Sequence, residues 1–223
     1  LAESWDNCGL QIGFDEKEIK KVLLIVDVDL KILEKLENEK YDLVISHHPL
    51  FFGSVKSINS GYPVGKIVNY FIKNDIALYS MHTNLDKVDN GVNDSLIKKF
   101  GFDSQKGFKF DFGFGKWFEN DKNLTLADLK KILNGEIVGN KDLTTINRIA
   151  FVCGSGNGFC EELIDKKIDL FVTGEINYHN KLFIELSNLT AYLLGHKESE
   201  TFFMPYLKDK LFKKFKNLLI DIC

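Results

Sequence analysis

Short, continuously apolar runs alternate with segments of helical spacing, and this order constrains the fold more than any other feature of the chain. "KVLLIVDVD" (21–29) reads as a strand, and "LKILEKLENEKY" (30–41) follows with Ile32, Leu33 and Leu36 at helical spacing. "YDLVISHH" (41–48) is a strand, "VGKIVNYFIKN" (64–74) a helix, and "IALYSMHTNLD" (76–86) a strand running into a loop. "NDSLIKKFGF" (93–102) is a short helix closed by Gly101. A β-α-β-α order implies parallel strands joined by crossover helices. Strands that are apolar throughout fit burial on both faces.

The rhythm breaks at 103–123, where "KGFKFDFGFGKWF" alternates aromatic residues with glycine and charge. An antiparallel hairpin or edge strand accounts for it. A contact between copies accounts for it equally well, because alternate phenylalanines would otherwise lie exposed. A second α/β series starts near Leu124. "LTLADLKKIL" is a helix with Thr125 as N-cap and Asp128 three residues later. Strands at 146–154, 169–175 and 189–196 alternate with helices at 160–168 and 180–188. A helix over 198–215, interrupted near Pro205, and a strand over 216–223 close the chain. Two intertwined α/β halves are expected: the first over 1–104, completed by 206–223, and the second over 105–205.

Composition excludes several classes. The 223 residues carry a net charge of −3, which gives no general attraction to nucleic acid or to an acidic membrane. No apolar run is long enough to span a bilayer. No secretory signal is visible, and the chain begins at Leu1 rather than Met, as when native residues precede it. Cys8, Cys153, Cys160 and Cys223 are scattered without a CxxC pair, which argues against a thiolate zinc site. Reduced cysteines in a cytoplasmic protein are the expectation.

The chemistry-bearing residues recur at matching places. "DLVIS" ends at His47 and His48, and "ALYSM" ends at His82 with Asp86 after a short loop. "DLFVT" leads to Glu175 and then His179, and "AYLLG" leads to His196 with Glu200 four residues on. All five histidines thus follow the carboxyl ends of strands, the edge where open α/β sheets bind ligands. Burying adjacent imidazoles in an apolar run requires partners. Neutral imidazole with carboxylate suits zinc, iron or manganese. Neighbouring side chains on a strand face opposite ways, so His47 and His48 converge only where the strand ends, and Pro49 helps to end it. His196 and Glu200 would share one face of a helical turn.

Taken singly, each piece has a plainer reading. His82 alone is a satisfied polar residue, "HKESE" a solvated helix start, and "GEINYH" a turn carrying a surface histidine. The joint pattern is what points to a metal site. "GSGNGF" (154–159) lies between a strand and a helix and could cradle a phosphate, but it lacks the P-loop lysine, and a tight turn explains it as well. Asp27 and Asp29 read as lining or turn residues. The lysines of 207–216 read as the solvated face of a packed helix.

The segments "ESWDNCGLQIG" (3–13), "DLVISHHPLFF" (42–52), "LYSMHTNLD" (78–86) with "GVND" (91–94), "DLFVTGE" (169–175) and "GHKESE" (195–200) occur in one order. Together they resemble the GTP cyclohydrolase 1 type 2 homologue family, also called the NIF-three-like family, in its short form without a middle insert domain. That resemblance implies an α/β protein of two αβα halves with mainly parallel or mixed sheets, a pair of divalent metal ions, and a toroidal homohexamer. Carried over, it makes His47, His48, Asp86, His196 and Glu200 metal ligands, with Glu200 bridging both ions. It makes His82, Glu175 and His179 pocket positions, the first two as candidates for proton transfer. Lys197 departs from the aromatic residue that many members carry.

Two metals of this kind activate water for attack on carbon or phosphorus. The family label implies a GTP cyclohydrolase-like hydrolase that opens the guanine imidazole ring of a nucleotide substrate and releases formate. A nucleotide phosphohydrolase or phosphoesterase, and a metal-binding interaction protein without turnover, are the alternatives.

Overall fold

The computed structural model describes residues 1–14 and 16–223. In chain order the elements begin with β1 (Gly9–Ile12), β2 (Lys21–Ile25), α1 (Lys31–Asn38), β3 (Leu43–Ser46), α2 (Pro63–Lys73), β4 (Ala77–Ser80), α3 (Thr83–Asp86) and α4 (Val92–Lys99). There follow β5 (Phe108–Lys109), β6 (Lys116–Glu119), α5 (Leu126–Ile132), β7 (Glu136–Val138), β8 (Arg148–Ser155), α6 (Cys160–Asp165) and β9 (Leu170–Glu175). The last are α7 (Tyr178–Glu185), β10 (Thr190–Leu193), α8 (His196–Ser199), α9 (Met204–Lys214) and β11 (Leu219–Ile222). The chain is a mixed α/β protein with two mixed sheets. Its compact units are Leu1–Leu85 with Met204–Cys223, and Asp86–Phe203.

The first unit's sheet runs β1-β4-β3-β2-β11, parallel except for β1, which pairs antiparallel with β4. Alternation across the pleat divides its strand residues. Leu23, Ile25, Val44 and Leu78 pack with Ile32 and Leu36 of α1 and Ile67, Val68 and Phe71 of α2. Val22, Leu43 and Ile45, of the opposite parity, line a groove with Leu211 of α9. Helices therefore cover both faces, which is why these strands are apolar throughout. Asp29 starts α1 by accepting from the amides of Lys31 and Ile32 at 2.9 and 3.1 Å.

The second unit's sheet runs β5-β6-β8-β9-β10-β7, with a parallel centre of β8, β9 and β10 and antiparallel flanks. One face, with Ala150, Val152, Phe171 and Ala191, packs on Leu163 of α6 and Ile184 of α7. On the other, Phe151 meets the rings of Phe100, Phe102 and Phe118 at 5.5–6.1 Å. The expected capping box is present, with Thr125 and Asp128 exchanging bonds at the start of α5.

The aromatic stretch forms the antiparallel β5–β6 pair. Phe108 stacks on Trp117 at 4.4 Å, while Phe110, Phe112 and Phe159 stack in series against the core. Those phenylalanines are therefore spent largely inside the unit. β1 and β7 are too short to be visible as alternation in sequence. The expected helix over 198–215 is two elements, α8 and α9, and the break precedes Pro205, which sits in the first turn of α9, where its missing N–H costs nothing. The division between units falls after Leu85 rather than after 104, because α4 packs on β8 of the second sheet. Among the described residues no helix is long and apolar enough to cross a membrane.

Lys116 is 7% exposed, and its Nζ donates to Asp94 Oδ1 at 2.7 Å and to the Ser104 carbonyl at 2.8 Å. Asp94 is 2% exposed and also accepts from the Asn90 amide at 2.8 Å. Removing one member of a buried ion pair strands the other. Asp94→Ala should therefore cost about 3–5 kcal/mol of stability by urea unfolding.

Candidate metal centre

In the first unit β3 and β4 lie side by side and end together, which delivers three imidazoles to one place. His47 and His48 follow β3, and their amides continue the ladder to the Ile25 and Val26 carbonyls at 3.0 and 2.9 Å. His82 follows β4. One ring nitrogen from each of the three lies within 4.8 Å of the others. The ring centroids are 5.0–5.5 Å apart.

Each ring is held through Nδ1. His47 Nδ1 donates to the Met81 carbonyl at 2.8 Å, His48 Nδ1 to Asp27 Oδ1 at 2.7 Å, and His82 Nδ1 to Asp6 Oδ1 at 2.9 Å. A carbonyl or carboxylate oxygen can only accept, so the proton sits on Nδ1 and Nε2 presents its lone pair. Metal-binding imidazoles are held in the same way, by an oxygen acceptor on the other nitrogen. His47 is 1% exposed, so its ring is fixed by packing as well.

Asp6 is a hub. Its other oxygen accepts from the Thr83 amide, the Thr83 hydroxyl and the Cys8 thiol. Burial pushes its carboxyl up, but the bonds from Cys8, Thr83 and His82 outweigh this and hold it well below the usual carboxylate range. Burial lowers the pKa of His82, the Asp6 carboxylate opposes that shift, and the neighbouring His47 and His48 add to it. Trp5 and Phe52 flank His82, with ring centroids 6.3 and 6.0 Å away.

In the second unit, His196 opens α8 directly after β10. Its Nδ1 donates to Glu175 Oε1 at 3.0 Å, and its Nε2 lies 3.5 Å from Glu200 Oε1. One helical turn thus places imidazole and carboxylate on one face, as their spacing predicts. Glu200 is only 4% exposed. The packing behind it needs glycine: a Cβ on Gly154, at φ +63°, would lie 2.2 Å from Glu200 Oε1 and 3.2 Å from His196 Nε2. Ser199 locks the turn, its hydroxyl accepting from the Gly154 amide at 2.8 Å and donating to the His196 carbonyl at 2.7 Å.

Asp86 ends α3. Its carbonyl accepts from Asn93 Nδ2 at 3.1 Å, and Asn93 Oδ1 accepts from the Cys153 amide at 2.8 Å. The thiol of Cys153 is pushed far up by burial and then by the negative charges of Glu200, Asp86 and Asp94. Both Asp86 and Glu200 therefore act electrostatically on one buried point.

The sequence-derived candidates fall into these two sets. His47 and His48 converge with His82, and His196 converges with Glu175 and Glu200. His179 stands apart, exposed on α7 against the ring of Tyr178. Of the carboxylates that orient the rings, Glu175 is among the sequence-derived candidates and Asp6 is not. Asp27 lines the space beside His48, as expected, and also fixes that ring, which nothing local in the sequence marks. The stretch 154–159 is the expected strand-to-helix connection between β8 and α6, and its Gly154 also clears space for His196 and Glu200.

These features define a class: α/β proteins with oriented imidazole and carboxylate donors, of the kind that suits transition ions, at strand ends. The chain belongs to the Duf34/NIF3 (NGG1p interacting factor 3) family, whose model matches residues 1–223. It is 33% identical over 214 residues to "GTP cyclohydrolase 1 type 2 homolog" of Clostridium perfringens, covering 90% of this chain and 80% of that protein. It is 35% identical over 233 residues to the Campylobacter jejuni protein of the same name, covering 100% and 88%. Among solved structures, Staphylococcus aureus hypothetical protein SA1388 matches with a TM-score of 0.85 at 30% identity, covering 100% of this chain and 90% of that one. Reduced HcgD from Methanocaldococcus jannaschii matches with a TM-score of 0.85 at 29% identity, covering 99% and 90%.

Asp6→Asn removes the charge that supports protonation of His82. In metal-free protein the His82 midpoint, followed by NMR of the imidazole C–H signals, should therefore fall further below its present position. An unchanged midpoint would mean that Asp6 does not control this ring.

Proposed function

We propose that His47, His48, Asp86, His196 and Glu200 hold two divalent cations, and that the protein is a metal-dependent hydrolase acting on a nucleotide. The observation that carries this reading is the shared tether. His47, His48, His82 and His196 each commit Nδ1 to an oxygen, which turns an Nε2 lone pair outward. The nitrogen and oxygen donors fit zinc, iron or manganese alike. When bound, such ions supply Lewis acidity that acidifies a water and polarises an electrophilic carbon or phosphorus.

The chain's own residues supply the rest. Asp27 and Glu175 are positioning residues that fix the rings of His48 and His196. Burial keeps His82 neutral near neutral pH, so its Nε2 can take a proton while Asp6 stabilises the imidazolium that results. Relatives called "GTP cyclohydrolase 1 type 2", such as the Helicobacter pylori protein at 31% identity over 207 residues, support hydrolytic opening of the guanine imidazole ring as the reaction. Self-assembly into a hexameric ring is part of the same proposal. Exposed Phe52, Val55, Ile58 and Tyr62 offer apolar surface for it, and light scattering tests it.

Elemental analysis of protein purified without added metal should find transition ions. Asp27→Ala or Glu175→Ala should weaken metal retention by roughly 10–100-fold. Loaded protein incubated with a nucleotide panel should release formate from GTP. Phosphate alone would instead indicate a phosphoesterase, and neither product would favour an interaction protein. Glu200→Gln should abolish turnover while circular dichroism stays unchanged.

A further inference from the structure

Within the first unit a cavity of about 500 Å³ opens beside His48, a size suited to a nucleoside-sized ligand. One wall is apolar and comes from the start of α2 and the loop after β3: Leu50, Pro63, Val64 and Ile67. The segment after β2 lines the same space as His48 and sets Asp27, Asp29 and Lys31 among Val28 and Leu30. Apolar side chains that share a cavity with a carboxylate suit a flat heterocycle that presents N–H donors along one edge. Guanine has such an edge in N1–H and the 2-amino group, both of which donate towards a carboxylate oxygen. Adenine presents an acceptor at N1 and would leave a carboxylate oxygen facing a lone pair.

We propose that this cavity is the base pocket of a guanine nucleotide and that Asp29 selects guanine by accepting from its N1–H and 2-amino group. This rests on the hydrolase reading and deepens it. Asp27 is already bonded to His48, whereas Asp29, among the described residues, accepts from the amides of Lys31 and Ile32 through Oδ1 and keeps Oδ2 outside those two bonds. A guanine held by that edge has its imidazole ring at the opposite end of the molecule. His48 lines the same cavity, so the base would be held beside one of the candidate ligands.

The test is binding of guanosine, inosine and adenosine by calorimetry, with the metal-free and the metal-loaded protein. Wild type should bind guanosine tightest, and inosine, which lacks the 2-amino group, more weakly. Asp29→Asn keeps a good helix-capping side chain, so α1 should persist. It removes a charged acceptor, so guanosine affinity should fall about tenfold or more while adenosine affinity holds or rises. Val64→Trp, which fills the apolar side, should abolish binding of all three with unchanged circular dichroism. Retained guanosine preference in Asp29→Asn, or full binding in Val64→Trp, would overturn the assignment. The formate assay is separate. Guanosine selectivity that depends on Asp29, without formate release, would leave the pocket standing and remove the hydrolase.

Discussion

The candidate site depends on one repeated interaction, an imidazole Nδ1–H donated to a fixed oxygen. A histidine ring on a strand end can rotate and can carry its proton on either nitrogen. The Met81 carbonyl, Asp27, Asp6 and Glu175 remove both freedoms for His47, His48, His82 and His196. Three of the four acceptors are carboxylates, so the tethers of His48, His82 and His196 run to a charged oxygen. The Asp6 carboxylate is itself held by Thr83 and Cys8, so the order extends outward into the backbone that begins α3.

Close packing does for the carboxylates what hydrogen bonding does for the imidazoles. Glu200 lies against a backbone turn that only glycine fits, and Gly174 presses equally hard from β9, where a Cβ would meet the Gly154 carbonyl at 2.4 Å and Ser199 Oγ at 2.8 Å. Asn93 spans from α4 to β8, binding the Asp86 carbonyl with one end of its amide and the Cys153 amide with the other. The second unit thus fixes the Glu200 side chain by close packing and the Asp86 backbone by an amide bridge.

Much of this was legible in the sequence, for identifiable reasons. The central strands are apolar throughout because helices cover both faces, and that signal is strong over four to eight residues. β1 and β7 escaped because they are short edge strands whose pairing is decided by their partners. The histidines were legible because burial of polar rings needs an explanation. Their acceptors were not, since Asp6 lies far along the chain from His82 and nothing local marks that bond. Gly154 shows the same limit from another side. A glycine-rich turn advertises backbone freedom, but the side chain it makes room for belongs to a segment more than forty residues away.

β11 joins the first sheet only through a parallel pairing with β2, although almost two hundred residues separate them. On the ribosome, β2 therefore waits with an unpaired edge while everything between is made. Asp86–Phe203 emerges complete before α9 and β11 do, so it can fold first. Until β11 arrives, the nascent first unit exposes a sticky margin, and its sheet is completed by a strand made after the whole of the second unit rather than by neighbouring segments.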